Sequence, residues 1–385
     1  MTKRQTVAIV GAGIGGLTAA LAFARNGAEV FVLEQAAALQ EVGAGIQITP
    51  NAARALEALG VGDALQNAGL AAQAVVPTDA LSGQEITQFD LQQQSPRYRF
   101  LHRAALLALL EDAARGAGAQ IHLGVTVTNV TPRGEMSTSA GPMLADVVVG
   151  ADGIHSITRT LCDPDAPAAE FTGQVAWRGM VKVPDCAPKA RIWMAPRKHV
   201  VTYPLARGVL NVVAVQERKT WSAEGWSHPD DPANLSAAFA DCAPELTQIL
   251  AGVETPNIWG LFRHPVARHW SNGALVLLGD AAHPTLPFLA QGANLAIEDA
   301  FVLAQCCKQE PDLSAALTAY QTLRAPRVTR AIAAANANAA NYHLSGLKRR
   351  VGFMGLRALG AVAPNAFLNR LSWLYDHDVT ASSNR

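Results

Sequence analysis

At both ends of the chain, short β-branched apolar runs alternate with longer stretches of helical periodicity. Thr6–Val10 (TVAIV) is such a run and predicts a buried strand. A glycine cluster follows, then an alanine-rich helical pattern from about Gly15 to Arg25. Glu29–Glu34 (EVFVLE) predicts a second strand, which completes a βαβ unit. Pro50–Leu59 and Arg103–Gly116 predict further helices. Ala145–Val149 (ADVVV) predicts another buried strand, running into Gly150-Ala151-Asp152-Gly153. Between about Phe171 and Arg263 the texture changes. Trp, Val and Pro become frequent, and strand-like runs cover Val175–Val183, Arg191–Ala195, Val200–Pro204 and Val209–Gln216. This predicts a mostly antiparallel sheet inserted between two parts of the first domain. Ala274–Leu278 (ALVLL) returns to the buried-strand pattern. A helix is predicted from Gln291 or Gly292 to Cys307, and helical pattern continues through Leu313–Ala340 and Leu344–Leu374.

Composition narrows the classes. A chain of 385 residues is long enough for two domains at roughly 150 residues each. Lys plus Arg and Asp plus Glu balance at 31 each, which excludes a strong whole-protein field and with it the simplest basis for nucleic-acid binding. Charged residues make up only 16%, against about 25% in a typical soluble protein. Surface is therefore expected to be hidden in a large core or at a subunit contact, and a homodimer is expected. The balance conceals an asymmetry: from Gln321 to Arg385 nine Lys/Arg face two acids, a net of +7, and the rest carries −7. Such a basic helical segment can cover acidic surface of the same molecule or of a partner subunit. Around Leu347–Ala363, with Lys348, Arg349, Arg350 and Arg357 beside Phe353, Met354 and Leu356, it can also lie on a membrane surface. Cysteines 162, 186, 242, 306 and 307 are odd in number, scattered and without a CxxC, so neither a disulfide framework nor a metal site is expected. The start of the chain shows no signal-peptide apolar region, and no window reaches 18 clean apolar residues. The cytosol is the expected compartment.

Three motifs carry chemistry. Gly11-Ala-Gly13-Ile14-Gly15-Gly16 is a GxGxxG straight after a strand and opening a helix. Gly11 allows the tight turn, Gly13 the approach of a pyrophosphate, and Gly16 close helix–strand packing, while the helix N-terminus offers N–H groups to phosphates. Glu34, 18 residues beyond Gly16, ends the second strand and can accept from both hydroxyls of a ribose. Asp152-Gly153 and Gly279-Asp280 end two further strands, where ligands of a doubly wound sheet bind. A ligand as long as FAD needs such grips from distant segments, and Asp280 can accept from a ribityl hydroxyl. Gln291-Gly292-Ala293-Asn294 lies at the start of the late helix, whose dipole favours the negative charge of a reduced flavin edge. Pro284 and Pro287 stiffen the loop before it, and Gly292 leaves room for the ring.

The ordered set GAGIGG (11–16), GAGIQITPNA (43–52), FLHRAAL (100–106), GADGIHSITR (150–159), AWRG (176–179), HVVTYPL (199–205) and LLGDAAHPTLPFLAQGANLAIEDA (277–300) resembles the single-component FAD-dependent aromatic hydroxylases. This is the para-hydroxybenzoate hydroxylase group, and the similarity is to its salicylate, 3-hydroxybenzoate and 6-hydroxynicotinate hydroxylase branch. Gln47 stands where some pyridine-hydroxylating relatives carry histidine. The tail YHLSG…WLYDHD (342–378) resembles the same branch.

The resemblance implies an α/β fold: a doubly wound, Rossmann-like FAD-binding domain (1–170, within which small substrate-domain strands are expected near 74–100, and 266–340), an inserted mostly antiparallel substrate domain (171–265) and a C-terminal helical segment (341–385). It implies tightly bound FAD, contacted additionally through Gly45, Ile46, Arg103, Val127 and Pro287. NADH or NADPH is expected as a transient co-substrate, since only one GxGxxG is present. The implied reaction is ring hydroxylation of a small phenolic substrate by O2 through a flavin C4a-hydroperoxide. Phenols ionise only near pH 10, so a group that takes the phenolic proton accelerates attack. His199 and Tyr203, four residues apart in a strand-like run, point to one face. They match a His/Tyr pair of the branch, which implies His199 as general base or proton relay and Tyr203 as partner to the substrate hydroxyl, or the reverse. Gln291 matches a position beside the substrate, whereas His283 is expected to hold its loop. Arg178 is either a buried sheet arginine paired with an acid or a contact to a substrate carboxylate. Two other readings remain at this stage: a flavin reductase or oxidase acting on a non-aromatic substrate, and a redox-responsive flavoprotein binding module.

Overall fold

The computed structural model describes residues 4–39, 44–206, 208–221, 228–363 and 366–381. Gly43 of the second glycine-bearing segment and Arg385 of the basic tail lie outside the described residues. The α/β class with an inserted antiparallel sheet is the architecture the chain adopts.

The apolar runs Thr6–Val10, Glu29–Glu34, Gln120–Leu123, Val147–Gly150 and Leu275–Leu277 form one parallel sheet. Its order places Leu275–Leu277 beside Val147–Gly150, then Thr6–Val10, then Glu29–Glu34, with Ser271–Asn272 as an antiparallel edge. The chain enters at Thr6–Val10 and winds outward in both directions, so the sheet has a switch point there. The glycine helix Ile14–Arg25 packs between Gly292–Gln309 and Arg103–Gly116. A three-stranded antiparallel sheet, Val127–Val130, Glu135–Thr138 and Gly141–Leu144, adds Val127, Val130 and Met136 to the same core.

The second sheet has eight strands. Glu170–Lys182, Lys189–Ala195, Lys198–Leu205, Val209–Glu217 and Asn257–Arg263 are antiparallel neighbours within it. Ala74–Asp79 joins from far upstream, parallel to Lys189–Ala195. Because side chains alternate along a strand, each of these strands serves two faces. Val200, Val212, Ala214, Trp177 and Trp193 turn to a core closed by Leu235, Phe239, Leu246 and Leu250 from the helices Pro232–Ala238 and Pro244–Ala251. The residues between them turn the other way, toward the parallel domain.

A buried ionic cluster joins these parts. Glu298 and Asp299, adjacent on the Gly292–Gln309 helix, meet Arg324 and Arg327 of the long Leu313–Tyr342 helix. Arg324 donates to both acids at 2.7 Å, and Arg327 reaches both oxygens of Glu298 at 2.7 Å. Asp299 also accepts from His283 at 2.5 Å and from the Gly279 amide at 3.3 Å. Asn51 donates to Glu298 at 2.6 Å. Burial alone would raise both carboxyls, but Arg324 opposes it at each, with Arg327 beside Glu298 and His283 beside Asp299, and both are held below the usual carboxylate range. The C-terminal helix Gly346–Val362 is pinned through Arg349, which pairs with Asp79 and stacks on buried Phe353. Its Leu347, Val351 and Met354 are exposed.

Removing one partner of a buried charge set typically costs about 3–5 kcal/mol. Arg324→Met is therefore expected to lower the unfolding free energy by roughly that amount, read from the urea midpoint, while Leu323→Ala on the exposed side leaves it within about 0.5 kcal/mol. The depressed carboxyls give the cluster its pH sign: its contribution is complete above the ordinary carboxylate pKa of about 4 and fades as pH falls through the lower folded values. The wild-type stability advantage over Arg324→Met is expected to shrink at acid pH.

Candidate active site

Between the inward face of the eight-stranded sheet and the parallel domain lies a cavity of about 230 Å³. An apolar cavity of about 150 Å³ already accepts a benzene ring, so the scale suits a single arene. The strand Lys198–Leu205 contributes every second residue, His199, Val201 and Tyr203, and Val213 and Val215 come from the neighbouring strand. Opposite them stand Gly45–Gln47 and the loop from Pro287 to Ala293. Tyr342 and Tyr375 close the side supplied by the C-terminal helices. The lining includes two arginines, Arg103 and Arg178, and the carboxyl of Asp280. Burial pushes that carboxyl up, with His283 and Arg103 opposing.

All three glycine-bearing motifs sit at carboxyl ends of adjacent strands. Gly11 has φ +100°, and a Cβ there would lie 2.5 Å from the Ala151 carbonyl oxygen. At Gly16 a Cβ would lie 2.0 Å from the Gly11 carbonyl oxygen. The first loop is thus wedged against the second motif, and only glycine fits. A Cβ at Gly13, by contrast, would project into open space. The Ile14–Arg25 helix that begins there has no side-chain cap and no acid in its first turn, so its first N–H groups remain available to an anion. The Glu34 carboxylate accepts from the Ala12 and Ala36 amides at 2.8 Å each and stands at the edge of this cradle. The Gly292–Gln309 helix is likewise uncapped and without an acid in its first turn, and its Gly292 and Ala293 open onto the cavity. These features fit a flavin dinucleotide. They comprise two uncapped helix N-termini, one at the glycine turn and one opening onto the cavity.

His199 is 2% exposed. Its Nδ1 lies 2.7 Å from His343 Nε2, and its ring is flanked by Tyr342 and Phe288 at 5.0 and 5.7 Å. Burial, and then the neighbouring His343, hold its pKa well below the ordinary value, so it is neutral near pH 7. Tyr203 is pushed well above the ordinary phenol range by burial, despite Arg178 and a hydrogen bond with Gln47. It is therefore a hydrogen-bond donor at neutral pH. Gln47 also accepts from the Tyr98 hydroxyl at 2.6 Å.

Of the residues singled out from the sequence, Gly45, Ile46, Arg103, His199, Tyr203, Asp280, Pro287, Gln291, Gly292 and Ala293 line the cavity together. Arg103 opens the Arg103–Gly116 helix. Ile14 and Gly15 begin the Ile14–Arg25 helix, with Ile14 in the core. Four side chains carry bonds that bind the scaffold. Asp152 accepts from Ser156 Oγ and Thr158 Oγ1 at 2.5 and 2.7 Å and from the Thr158 amide, organising its own loop. The Gln291 amide donates to Thr49 Oγ1 and the Leu289 carbonyl and accepts from Asn51. Asn294 accepts from the Thr49 amide and donates to the Gln47 carbonyl, each at 2.9 Å, tying the Gly45–Ile48 strand to the helix mouth. Val127 is core and does not line the cavity. His283 holds its loop to Asp299, as expected.

Reading the sequence did not single out Glu298, Asp299, Arg324, Arg327 or His343. A signal for the first four was present: two adjacent acids inside the apolar stretch LAIEDAFVLA, and two arginines three apart on the next helix. His343 carried none beyond its tail segment.

Residues 4–335 match the FAD binding domain family. The 3-amino-4-hydroxybenzoate 2-monooxygenase PtnB3 of Streptomyces platensis is 35% identical over 100% of this chain and 99% of its own length. The 3-hydroxybenzoate 6-hydroxylase of Klebsiella oxytoca is 30% identical over 97% of each chain. Among solved structures, Klebsiella pneumoniae HpxO complexed with FAD and uric acid superposes with a TM-score of 0.83 at 26% identity, covering 96% of this chain and 97% of that one. With the matched span, the uncapped glycine cradle and this full-length similarity in agreement, the chain belongs to the FAD binding domain family, among the flavin-dependent aromatic hydroxylases.

Proposed function

We propose that this protein is an NAD(P)H- and O2-dependent hydroxylase of a small anionic phenol, of the hydroxybenzoate class. The observation that carries this reading is the pair His199 and Tyr203, presented on one sheet face to a cavity that also opens onto the mouth of the Gly292–Gln309 helix. FAD, when bound, supplies reduction by nicotinamide and activation of oxygen. The residues of this chain bind the arene, orient it and move its proton. Val75, Val201, Val213 and Phe288 give the ring an apolar slot. Arg178, stacked on Trp259 with its guanidinium 5.0 Å from the ring centre, and Arg103 favour an anionic substrate. Tyr203 donates to the substrate oxygen, and neutral His199 takes its proton, leaving an electron-rich phenolate.

The names of the relatives, acting on 3-amino-4-hydroxybenzoate and 3-hydroxybenzoate, support the substrate class. Gly11, Gly13, Ile14, Gly15, Gly16 and Glu34 would hold the dinucleotide, with Asp280, Gly45, Ile46, Arg103, Pro287, Gly292 and Ala293 around its ring end. Asp152, Asn294 and Val127 would support that site from behind, and Gln291 would fix the loop beside the substrate. The exposed Leu347, Val351 and Met354, flanked by Lys348 and Arg350, favour self-association through the C-terminal helix in a cytosolic dimer.

The FAD-loaded enzyme is expected to oxidise NADH or NADPH faster in the presence of at least one hydroxybenzoate and to return a product heavier by one oxygen. A panel including 3-hydroxybenzoate and 3-amino-4-hydroxybenzoate that neither stimulates turnover nor gains oxygen overturns the proposal. General-base catalysis is worth about 10²–10⁴-fold, so His199→Gln is expected to lower kcat/KM within that range. Tyr203→Phe, losing one hydrogen bond to a developing anion, is expected to cost roughly 10–100-fold. A flavin reductase or oxidase acting on a non-aromatic compound would tolerate both changes. Because the folded pKa of His199 is depressed, its basic form persists below the ordinary value of about 6.5. Wild-type kcat/KM is therefore expected to stay flat through that pH and to fall only at lower pH. In His199→Gln it should instead rise toward the phenol's own ionisation near pH 10.

A further inference from the structure

His199 does not end at the cavity. Behind it, His343 caps the C-terminus of the Leu313–Tyr342 helix and presents Nε2 to His199 Nδ1 at 2.7 Å. His343 Nδ1 in turn lies 2.8 Å from Glu217 Oε1. Exposure rises along the row: His199 is 2% exposed, and the side chains of His343 and Glu217 are 5% and 36% exposed. Three titratable groups from three separate elements thus form an unbroken file from the cavity wall to solvent. We propose that His343 and Glu217 form a proton exit for the substrate phenol, in which the surface carboxylate dictates which nitrogen of His199 faces the cavity as a base. This inference rests on the hydroxylase reading above.

The argument is one of donors and acceptors. An ionised carboxylate can only accept, so His343 must carry its proton on Nδ1 and leave Nε2 bare. Bare Nε2 can only accept, so His199 must carry its proton on Nδ1. The lone pair of His199 Nε2 is then the one directed to the cavity. When a phenol O–H delivers its proton to that lone pair, the Nδ1 proton of His199 passes to His343 Nε2, and the Nδ1 proton of His343 passes through Glu217 to water. Three bonds to hydrogen break and three form, one proton leaves, a phenolate stays, and no electron is transferred. The reverse passage resets both rings when a product leaves protonated.

The surroundings favour this route. Burial holds His343 below the ordinary imidazole range, with Glu217 opposing, so at rest the ring is neutral with one bare nitrogen, and its place as the helix C-cap eases the passing positive charge. Glu217 is shared with the Arg197 guanidinium at 3.3 Å, which holds the carboxylate in place. The Arg197 amide also donates to the His343 carbonyl, and the Glu217 amide to the Arg197 carbonyl, so the turn before strand Lys198–Leu205 and the end of the long helix are locked together. Tyr342, whose ring lies 5.0 Å from His199, has its phenol pushed up to about 12 by burial and stays neutral, so it does not compete as a base.

Two readouts on the oxidised, FAD-loaded enzyme test this. The first needs no substrate: ¹⁵N histidine NMR at pH 7.5 is expected to show both His199 and His343 protonated at Nδ1 and bare at Nε2. A proton found on Nε2 of His199 overturns the proposal. The second is the rate of proton release into weakly buffered solution with an indicator dye, on mixing with 3-hydroxybenzoate. Glu217→Gln, a half-exposed isosteric change, and His343→Ala are each expected to slow release at least tenfold without altering FAD affinity, and added imidazole is expected to restore His343→Ala. Release at the wild-type rate in both variants overturns the relay. A wild type that releases no proton and shows no flavin spectral change with any hydroxybenzoate counts against the hydroxylase reading instead, and the NMR result still decides the relay.

Discussion

The geometry of the site depends on one buried electrostatic constraint. Glu298 and Asp299 sit inside the otherwise apolar stretch Leu295–Ala304 of their helix, and neither could remain ionised there without Arg324 and Arg327 from the next helix. Once the charges are matched, their remaining lone pairs recruit His283, the Gly279 amide and Asn51. His283 and Gly279 belong to the loop after Leu275–Leu277, and Asn51 to the helix Pro50–Ala58 that follows the Gly45–Ile48 strand. The cluster therefore sets where the helix mouth at Gly292 lies relative to the third strand end and the Gly45–Ile48 strand. The helix mouth thus takes its position from charges buried about two turns further along the helix.

The antiparallel sheet supplies the opposite wall by a simpler rule. Alternation sends Val200 and Thr202 into the sheet's own core, where Thr202 accepts from Trp193, and sends His199, Val201 and Tyr203 to the cavity. The same rule on the neighbouring strand faces Val213 and Val215 to the cavity between them. Polar atoms on that face are few and each has a defined protonation state. Neutral His199 accepts, and Tyr203 donates. An apolar slot holding one base and one donor, opposite an anion-favouring helix end, is suited to making a phenolate where an electrophilic oxygen can reach it.

Much of this was legible along the chain. The strands Thr6–Val10 and Glu29–Glu34 have the limits their patterns predict because they are largely buried apolar runs next to glycine or turn residues, and the helix Arg103–Gly116 does so because its buried Leu106, Leu107, Leu110 and Ala114 recur at helical spacing. The alternation in HVVTYPL places His199 and Tyr203 on one face, as they are in the sheet. What was not legible is long-range. Small substrate-domain strands are expected near 74–100, but that Ala74–Asp79 pairs in parallel with Lys189–Ala195, over 100 residues away, has no local mark. The helices Pro232–Ala238 and Pro244–Ala251 are short, and tertiary cover over the sheet core holds them rather than a strong periodic pattern. His343 reads as a tail residue until the end of a 30-residue helix brings it to His199. The side chains of Asp152 and Asn294 turned out to bind backbone and neighbouring hydroxyls, since a motif locates a loop without saying which of its atoms face a ligand.

The central claim is that the His199/Tyr203 face and the Gly292 helix mouth enclose one arene against one flavin. A crystal structure of the FAD-loaded protein soaked with 3-hydroxybenzoate tests it most directly. The account predicts the flavin ring beside Gly292 and Ala293, and the substrate's phenolic oxygen within about 3.2 Å of both His199 Nε2 and the Tyr203 hydroxyl. An arene seated elsewhere, or a flavin lying against a different surface of the sheet, would contradict it.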